Sequence, residues 1–223
     1  LEGPTNVGGR PLDVAVDPER RDTIYVAVAS GGVWRSTDAG TRFEPVWPAD
    51  AVQMIGALTI SKSGVLYAGT GETGPGGGSI TYGGNGVYRS TDRGATWQHL
   101  GLAKTSRISR IVIDPSNENR IFVAASGNLF KGSGDRGLYV SEDGGDTWDK
   151  VLEGDNPNTG AADVAIDESD PSIVWATTWD HPRTPDQRLY EARAPASTSR
   201  PTAAGRSPAS RGPASGRTPS SAA

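Results

Sequence analysis

Ser36-Thr-Asp38-Ala-Gly40-Thr41-Arg-Phe43, Ser90-Thr-Asp92-Arg-Gly94-Ala-Thr96-Trp97 and Ser141-Glu-Asp143-Gly-Gly145-Asp-Thr147-Trp148 are three versions of one phrase, spaced 54 and 51 residues apart. Ser and Asp side chains accept hydrogen bonds from backbone N–H groups a few residues on, and the following Gly takes a positive φ without a Cβ penalty. The phrase therefore reads as a self-folding hairpin turn. Its last residue, Phe43, Trp97 or Trp148, brings an aromatic surface large enough to lock the hairpin onto a neighbouring unit.

Working outward, each turn is entered by a strand: Gly32-Val-Trp34-Arg-Ser36, Gly86-Val-Tyr88-Arg-Ser90 and Gly137-Leu-Tyr139-Val-Ser141. Two further strand signals lie upstream, Asp13-Val-Ala-Val-Asp17 then Thr23-Ile-Tyr-Val-Ala-Val28, matched by Arg110-Ile-Val-Ile-Asp114 then Arg120-Ile-Phe-Val-Ala124. The second unit has a weaker version, Ala57-Leu-Thr-Ile-Ser61 then Val65-Leu-Tyr-Ala-Gly69, without the Asp-Pro turn. Each unit is thus four short antiparallel strands in about 50 residues, a period that marks a repeat architecture. A fourth unit opens at Asp163-Val-Ala-Ile-Asp167 and Ile173-Val-Trp175-Ala-Thr177 but carries no turn phrase.

The phrase Ser-x-Asp-x-Gly-x-Thr-Trp resembles the Asp-box, or BNR, repeat of bacterial sialidases, xyloglucan-cleaving glycoside hydrolases and the sortilin receptor domain. Gly3-Pro4, Gly9-Arg10, Ala29-Ser-Gly-Gly-Val-Trp34, Gly69-Thr-Gly-Glu72 and Thr159-Gly-Ala-Ala-Asp163 look more narrowly like bacterial, glycosyl-hydrolase-like BNR-repeat proteins. The first box departs from the pattern, with Arg42-Phe43 in place of Thr-Trp. The resemblance covers residues 1–191 and implies a secreted or periplasmic setting.

A four-stranded unit repeated about an axis predicts an all-β fold, a β-propeller of four-stranded antiparallel blades. About three and a half blades are expected, over 8–47, 52–101, 107–153 and an incomplete 161–191, so the ring is incomplete and the chain reads as a fragment of a longer propeller. The end blades of such an arc expose apolar faces, through which copies are expected to associate.

Residues 192–223 use Ala, Arg, Pro, Ser, Thr and Gly alone and are expected to be disordered. They hold five of the chain's 22 basic residues and none of its 26 acidic ones. A basic tail can meet anionic surfaces. Yet the abrupt switch after Arg188-Leu-Tyr190, into residue types with G/C-rich codons, has the pattern of a shifted reading frame, and nucleic acid is not expected as a partner. The chain has no cysteine, hence no disulfide framework or thiolate site. No apolar stretch approaches about 18 residues, so neither a membrane span nor a signal peptide is visible.

In a propeller whose first strands line the axis, loops from strand two to strand three share a face with the links between blades, and the boxes lie opposite. Asp38, Asp92 and Asp143 are therefore expected as turn carboxylates, and neither a metal nor a cofactor is assigned. The glycine-rich stretch 69–86 is the expected functional loop, with Glu72 and Tyr82 its strong polar and aromatic groups. Its Gly-Thr-Gly-Glu run precedes a strand and lacks a lysine, so it is not a phosphate loop. Glu72 is expected to be replaceable without cost to folding. Aligning the first strands on Asp17, Asp114 and Asp167 places Asp13, Ala57, Arg110 and Asp163 at one position beside the axis. Charges there read either as a polar channel mouth for a glycan or peptide or as mutual salt bridges. Arg10, Asp13, Glu72, Tyr82, Arg110, Asp163 and His181 are the candidate ligand-binding residues. The expected role is a binding or scaffold module. The alternatives are a sialidase- or xyloglucanase-like glycoside hydrolase with part of its catalytic set elsewhere, and an inactive truncated product.

Overall fold

The computed structural model describes residues 10–73 and 82–180, together with the backbone of 198–199. Apart from a single 3-10 turn at Ala103–Thr105, the regular elements among them are short strands in four antiparallel sheets. The first sheet holds β1 (Pro11–Val16), β2 (Ile24–Val28), β3 (Gly32–Ser36) and β4 (Glu44–Pro45), in that spatial order. The second repeats it with β5 (Ile55–Ile60), β6 (Leu66–Thr70), β7 (Val87–Ser90) and β8 (Gln98–His99). The third follows with β9 (Ile108–Asp114), β10 (Asn117–Ala125), β11 (Gly137–Ser141) and β12 (Asp149–Leu152). The fourth has three strands, β13 (Thr159–Ile166), β14 (Val174–Asp180) and β15 (Thr198–Ser199). β15 falls within the stretch expected to be disordered; the rest of 192–223 lies outside the described residues.

First strands of successive sheets lie side by side, β1 against β5, β5 against β9 and β9 against β13, so they line the axis of a propeller arc. Three apolar clusters join neighbouring blades. Tyr25, Ala27 and Val33 of the first meet Leu58, Leu66 and Tyr88 of the second. Tyr67 and Val87 then meet Ile111, Ile121 and Tyr139, and Phe122 and Leu138 meet Val164 and Ala176. Among the described residues no such cluster joins the fourth blade to the first, and the ring stays open.

The boxes fold as their chemistry requires. Ser90 Oγ donates to Asp92 Oδ1 at 2.8 Å and accepts the Gly94 N–H at 2.7 Å, while Thr96 donates its N–H and hydroxyl to the two carboxylate oxygens at 2.8 and 2.5 Å. The third box repeats this with Ser141, Asp143, Gly145 and Thr147. In the first box the Arg42 N–H still reaches Asp38 at 2.8 Å, but arginine has no hydroxyl for the second oxygen.

The box also clasps the preceding blade. The residue before its glycine adopts a positive φ, 57° at Ala39, 58° at Arg93 and 76° at Gly144. Across the blade boundary, the Arg93 carbonyl accepts Tyr25 Oη at 3.0 Å and Arg35 Nη1 at 3.2 Å. The Gly144 carbonyl accepts Tyr67 Oη and Arg89 Nη1 in the same way. The box tryptophans donate to that neighbour too, Trp97 Nε1 to the Val46 carbonyl at 2.7 Å and Trp148 Nε1 to that of Leu100 at 2.9 Å. A side-chain turn that looks local is thus half of an inter-blade joint.

Candidate functional site

The inner strands carry the first feature. Asp13 pairs with Ala27, Ala57 with Gly69, Arg110 with Ala124 and Asp163 with Thr177, each immediately beside a break in strand register. A break of this kind re-aims the side chain next to it. The four positions are therefore equivalent, as their spacing predicted. Arg110 Nη1 lies 3.8 Å from Asp13 Oδ2, and its Nε lies 3.9 Å from Asp163 Oδ1. Arg110 reaches the first blade across the second because the intervening residue is Ala57.

These three charges are not alike. Asp13 is fixed, accepting the Val14 N–H and, across the blade boundary, the Leu58 N–H, both at 3.0 Å. The Asp163 side chain is 66 % exposed and that of Arg110 is 49 % exposed. At 3.8 and 3.9 Å the ion pairs are too long to be hydrogen bonds. Among the described residues the guanidinium donates no hydrogen bond.

A second group sits where β6 ends. Glu72, 3 % exposed, receives Arg10 Nη2 on its carboxylate and, at 3.0 Å, Arg107 Nε on its backbone carbonyl. Arg107 is buried and stacks over Phe130 with 5.7 Å from guanidinium carbon to ring centroid. Glu72 was expected to be replaceable at no cost to folding. The burial of its carboxylate argues for a structural cost, although Arg10, 48 % exposed, can return to solvent and the Arg107 bond to the Glu72 carbonyl survives a side-chain change. Tyr82 is 56 % exposed. His181, residues 74–81 of the glycine-rich stretch, and Gly3-Pro4 lie outside the described residues.

Sequence reasoning missed Arg107, although a signal existed. Arg10 lies three residues before Asp13, and Arg107 lies three before Arg110. Their carbonyls do the same work, accepting the Ala29 and Ser126 N–H groups at 2.9 and 3.1 Å. Arg136 closes the 128–136 stretch of blade three, where it is buried and donates to the carbonyls of Ser126, Asn158 and Asn128. Burial pulls the Arg136 pKa below its ordinary value, with the Asp180 charge opposing. Arg136 borders a cavity of about 240 Å³ shared with Ser133, Glu153, Asn156 and Thr159. Ser133 Oγ, Arg136 Nε and Thr159 Oγ1 are buried there without a hydrogen-bond partner among the described residues. Polar atoms left so are those a hydroxyl-rich ligand or ordered water satisfies.

Comparison with known proteins decides the family. Residues 85–200 match the Sortilin-Vps10 family model, described as sortilin, neurotensin receptor 3. The chain belongs to the Sortilin-Vps10 family. This Sortilin-Vps10 chain is also 32 % identical over 176 residues to a xyloglucanase of Paenibacillus sp., covering 71 % of the chain and 16 % of that protein. It is 28 % identical over 153 residues to a probable oligoxyloglucan-reducing end-specific xyloglucanase of Neosartorya fischeri, covering 64 % and 17 %. The chain therefore spans about a sixth of the length of these relatives. Its fold matches an ancestral GH74 enzyme with a TM-score of 0.61 at 21 % identity, over 77 % of the chain and 22 % of that structure. It also matches the GH74 xyloglucanase of Xanthomonas campestris, with a TM-score of 0.56 at 23 % identity over 78 % and 27 %. These likenesses bear out the propeller fold and the BNR-type family.

Proposed function

We propose that this chain is a segment of a glycoside-hydrolase-type propeller acting on a xyloglucan-like β-glucan, and that its axial face binds the glycan. The identity to two xyloglucanases favours this reading over a pure scaffold. The observation that carries the site is Arg110, half exposed beside the axis, flanked by two carboxylates and donating no hydrogen bond among the described residues. Alternating N–H donors and carboxylate acceptors suit sugar hydroxyls, each of which both donates and accepts.

Hydrolysis asks for more. Two carboxyl groups must flank the scissile bond, about 5–5.5 Å apart for retention or about 6.5–9.5 Å for inversion. Asp13 is tied to two backbone N–H groups, and Asp163 is the exposed carboxylate of the row. Recognition is thus the step that these residues supply, and cleavage needs a further carboxylate across the bound glycan.

Affinity electrophoresis in gels containing xyloglucan, with dextran as control, tests the reading. The wild-type chain should be retarded by xyloglucan alone, and Arg110→Ala should remove the retardation with no change in melting temperature. Equal mobility of the wild type in both gels overturns the proposal.

A further inference from the structure

The cavity beside Arg136 lies where the β10–β11 loop of blade three meets the link from β12 to β13, and none of Asp13, Arg110 and Asp163 lines it. Both of its walls are tied down. The Ser133 N–H donates to the Pro157 carbonyl at 2.9 Å, the Asn158 N–H to Asn156 Oδ1 at 2.8 Å and the Thr159 N–H to the Asn156 carbonyl at 3.1 Å. Gly127 lets the Arg136 stem pass, since a Cβ there would stand 2.2 Å from Arg136 Cγ. A site held in this way loses little freedom when a ligand arrives.

The walls keep polar groups unpaired. Arg136 is 2 % and Thr159 4 % exposed, yet Arg136 Nε, Thr159 Oγ1 and Ser133 Oγ have no hydrogen-bond partner among the described residues. Each buried group left so lowers the stability of the fold by itself. Ser133 stands between Gly132 and Gly134, and one staggered χ1 step re-aims its hydroxyl.

Charge and size decide what fits. The Arg136 guanidinium spends its Nη atoms on the carbonyls of Ser126, Asn158 and Asn128, so it offers no two-pronged face to a carboxylate or phosphate. The Asp180 carboxylate balances its charge, and Glu153 at the rim is paired with Lys150 Nζ at 3.0 Å. With both signs offset, neither an anion nor a cation is favoured. What remains is one N–H donor and two hydroxyls, each of which donates and accepts. At about 240 Å³ the cavity exceeds the space of a few waters, about 30 Å³ each, and falls below the range of about 300–1,000 Å³ that takes drug-sized ligands.

We propose that this cavity is a second binding site, for one neutral sugar unit whose hydroxyls pair with Arg136 Nε, Ser133 Oγ and Thr159 Oγ1. It is separate from the axial row, and it stands or falls apart from the function proposed above.

Nuclear magnetic resonance of the full chain, titrated with D-xylose and with D-glucose, tests the site. Saturable shifts should centre on residues 132–136 and 153–159 and include the Arg136 Nε–H. Thr159→Val keeps the shape and removes the hydroxyl. It should weaken sugar binding about fivefold while Tm stays level or rises, because the fold loses no hydrogen bond. Arg110→Ala should leave these shifts in place, which separates failure of this site from failure of the axial one. The absence of saturable shifts with either sugar overturns the proposal and assigns the cavity to ordered water. Sodium sulfate producing the same shifts in place of the sugars overturns the neutral ligand. Undiminished sugar affinity in Thr159→Val, or a lower Tm, overturns the assigned contacts.

Discussion

Thr96 and Arg42 hold the same place in two boxes, and the difference between them is one hydroxyl. With Thr96 donating twice, hydrogen bonds to the charged carboxylate draw Asp92 from the ordinary 3.8 to about 2, and Thr147 does the same for Asp143. Asp38 is lowered as well, chiefly by the Arg42 N–H. Arg42→Thr should therefore bring the Asp38 titration, followed by NMR, down beside those of Asp92 and Asp143, and raise Tm by about 1–2 °C at this exposed site. An unchanged Asp38 titration would show that the backbone N–H alone sets the turn. The same carboxylates set an acid limit. Their folded pKa values lie below the unfolded ones, so the stability they supply is complete above about pH 4 and is lost as pH falls toward 2. Thermal melts of Thr96→Val and Thr147→Val should differ most from wild type near neutral pH and converge with it at the acid end. Parallel curves across that range would assign the hydroxyls a role in packing instead.

Between strands and turns, the box tryptophan links one hairpin to the preceding blade. Trp97 lies 4.8 Å from Trp47, ring centre to ring centre, and donates to Val46. Trp97→Ala should cost about 3 kcal/mol in urea melts, the low end of the range for aromatic truncation because the ring is half buried. Trp97→Phe keeps most of the packing and loses the N–H, for about 1 kcal/mol. Equal losses in the two variants would mean that the hydrogen bond, and not the ring, holds the blades. The turn itself was legible in the sequence because every bond of Ser90, Asp92, Gly94 and Thr96 spans at most four residues. That the Arg93 carbonyl is the socket for Tyr25 and Arg35 was not, since those partners lie 68 and 58 residues away. The candidate site divides in the same way. That Asp13, Arg110 and Asp163 share one register position was legible through the repeat, whereas the bond from Arg107 to the Glu72 carbonyl depends on a blade boundary that periodicity does not mark.

Across the arc, stability is a sum over joints. Blades two and three are packed on both faces, while blades one and four each keep one apolar face in solvent. In a repeat protein each unit is stabilised by itself and by its nearest neighbours, so units with a single neighbour open first. Native-state hydrogen exchange should therefore give the highest protection to β6 and β10, the second strands of the doubly packed blades, and lower protection to β2 and β14. Uniform protection through all four blades would show a single cooperative unit instead, and the exposure of Val14 and Trp175 would then carry no energetic weight.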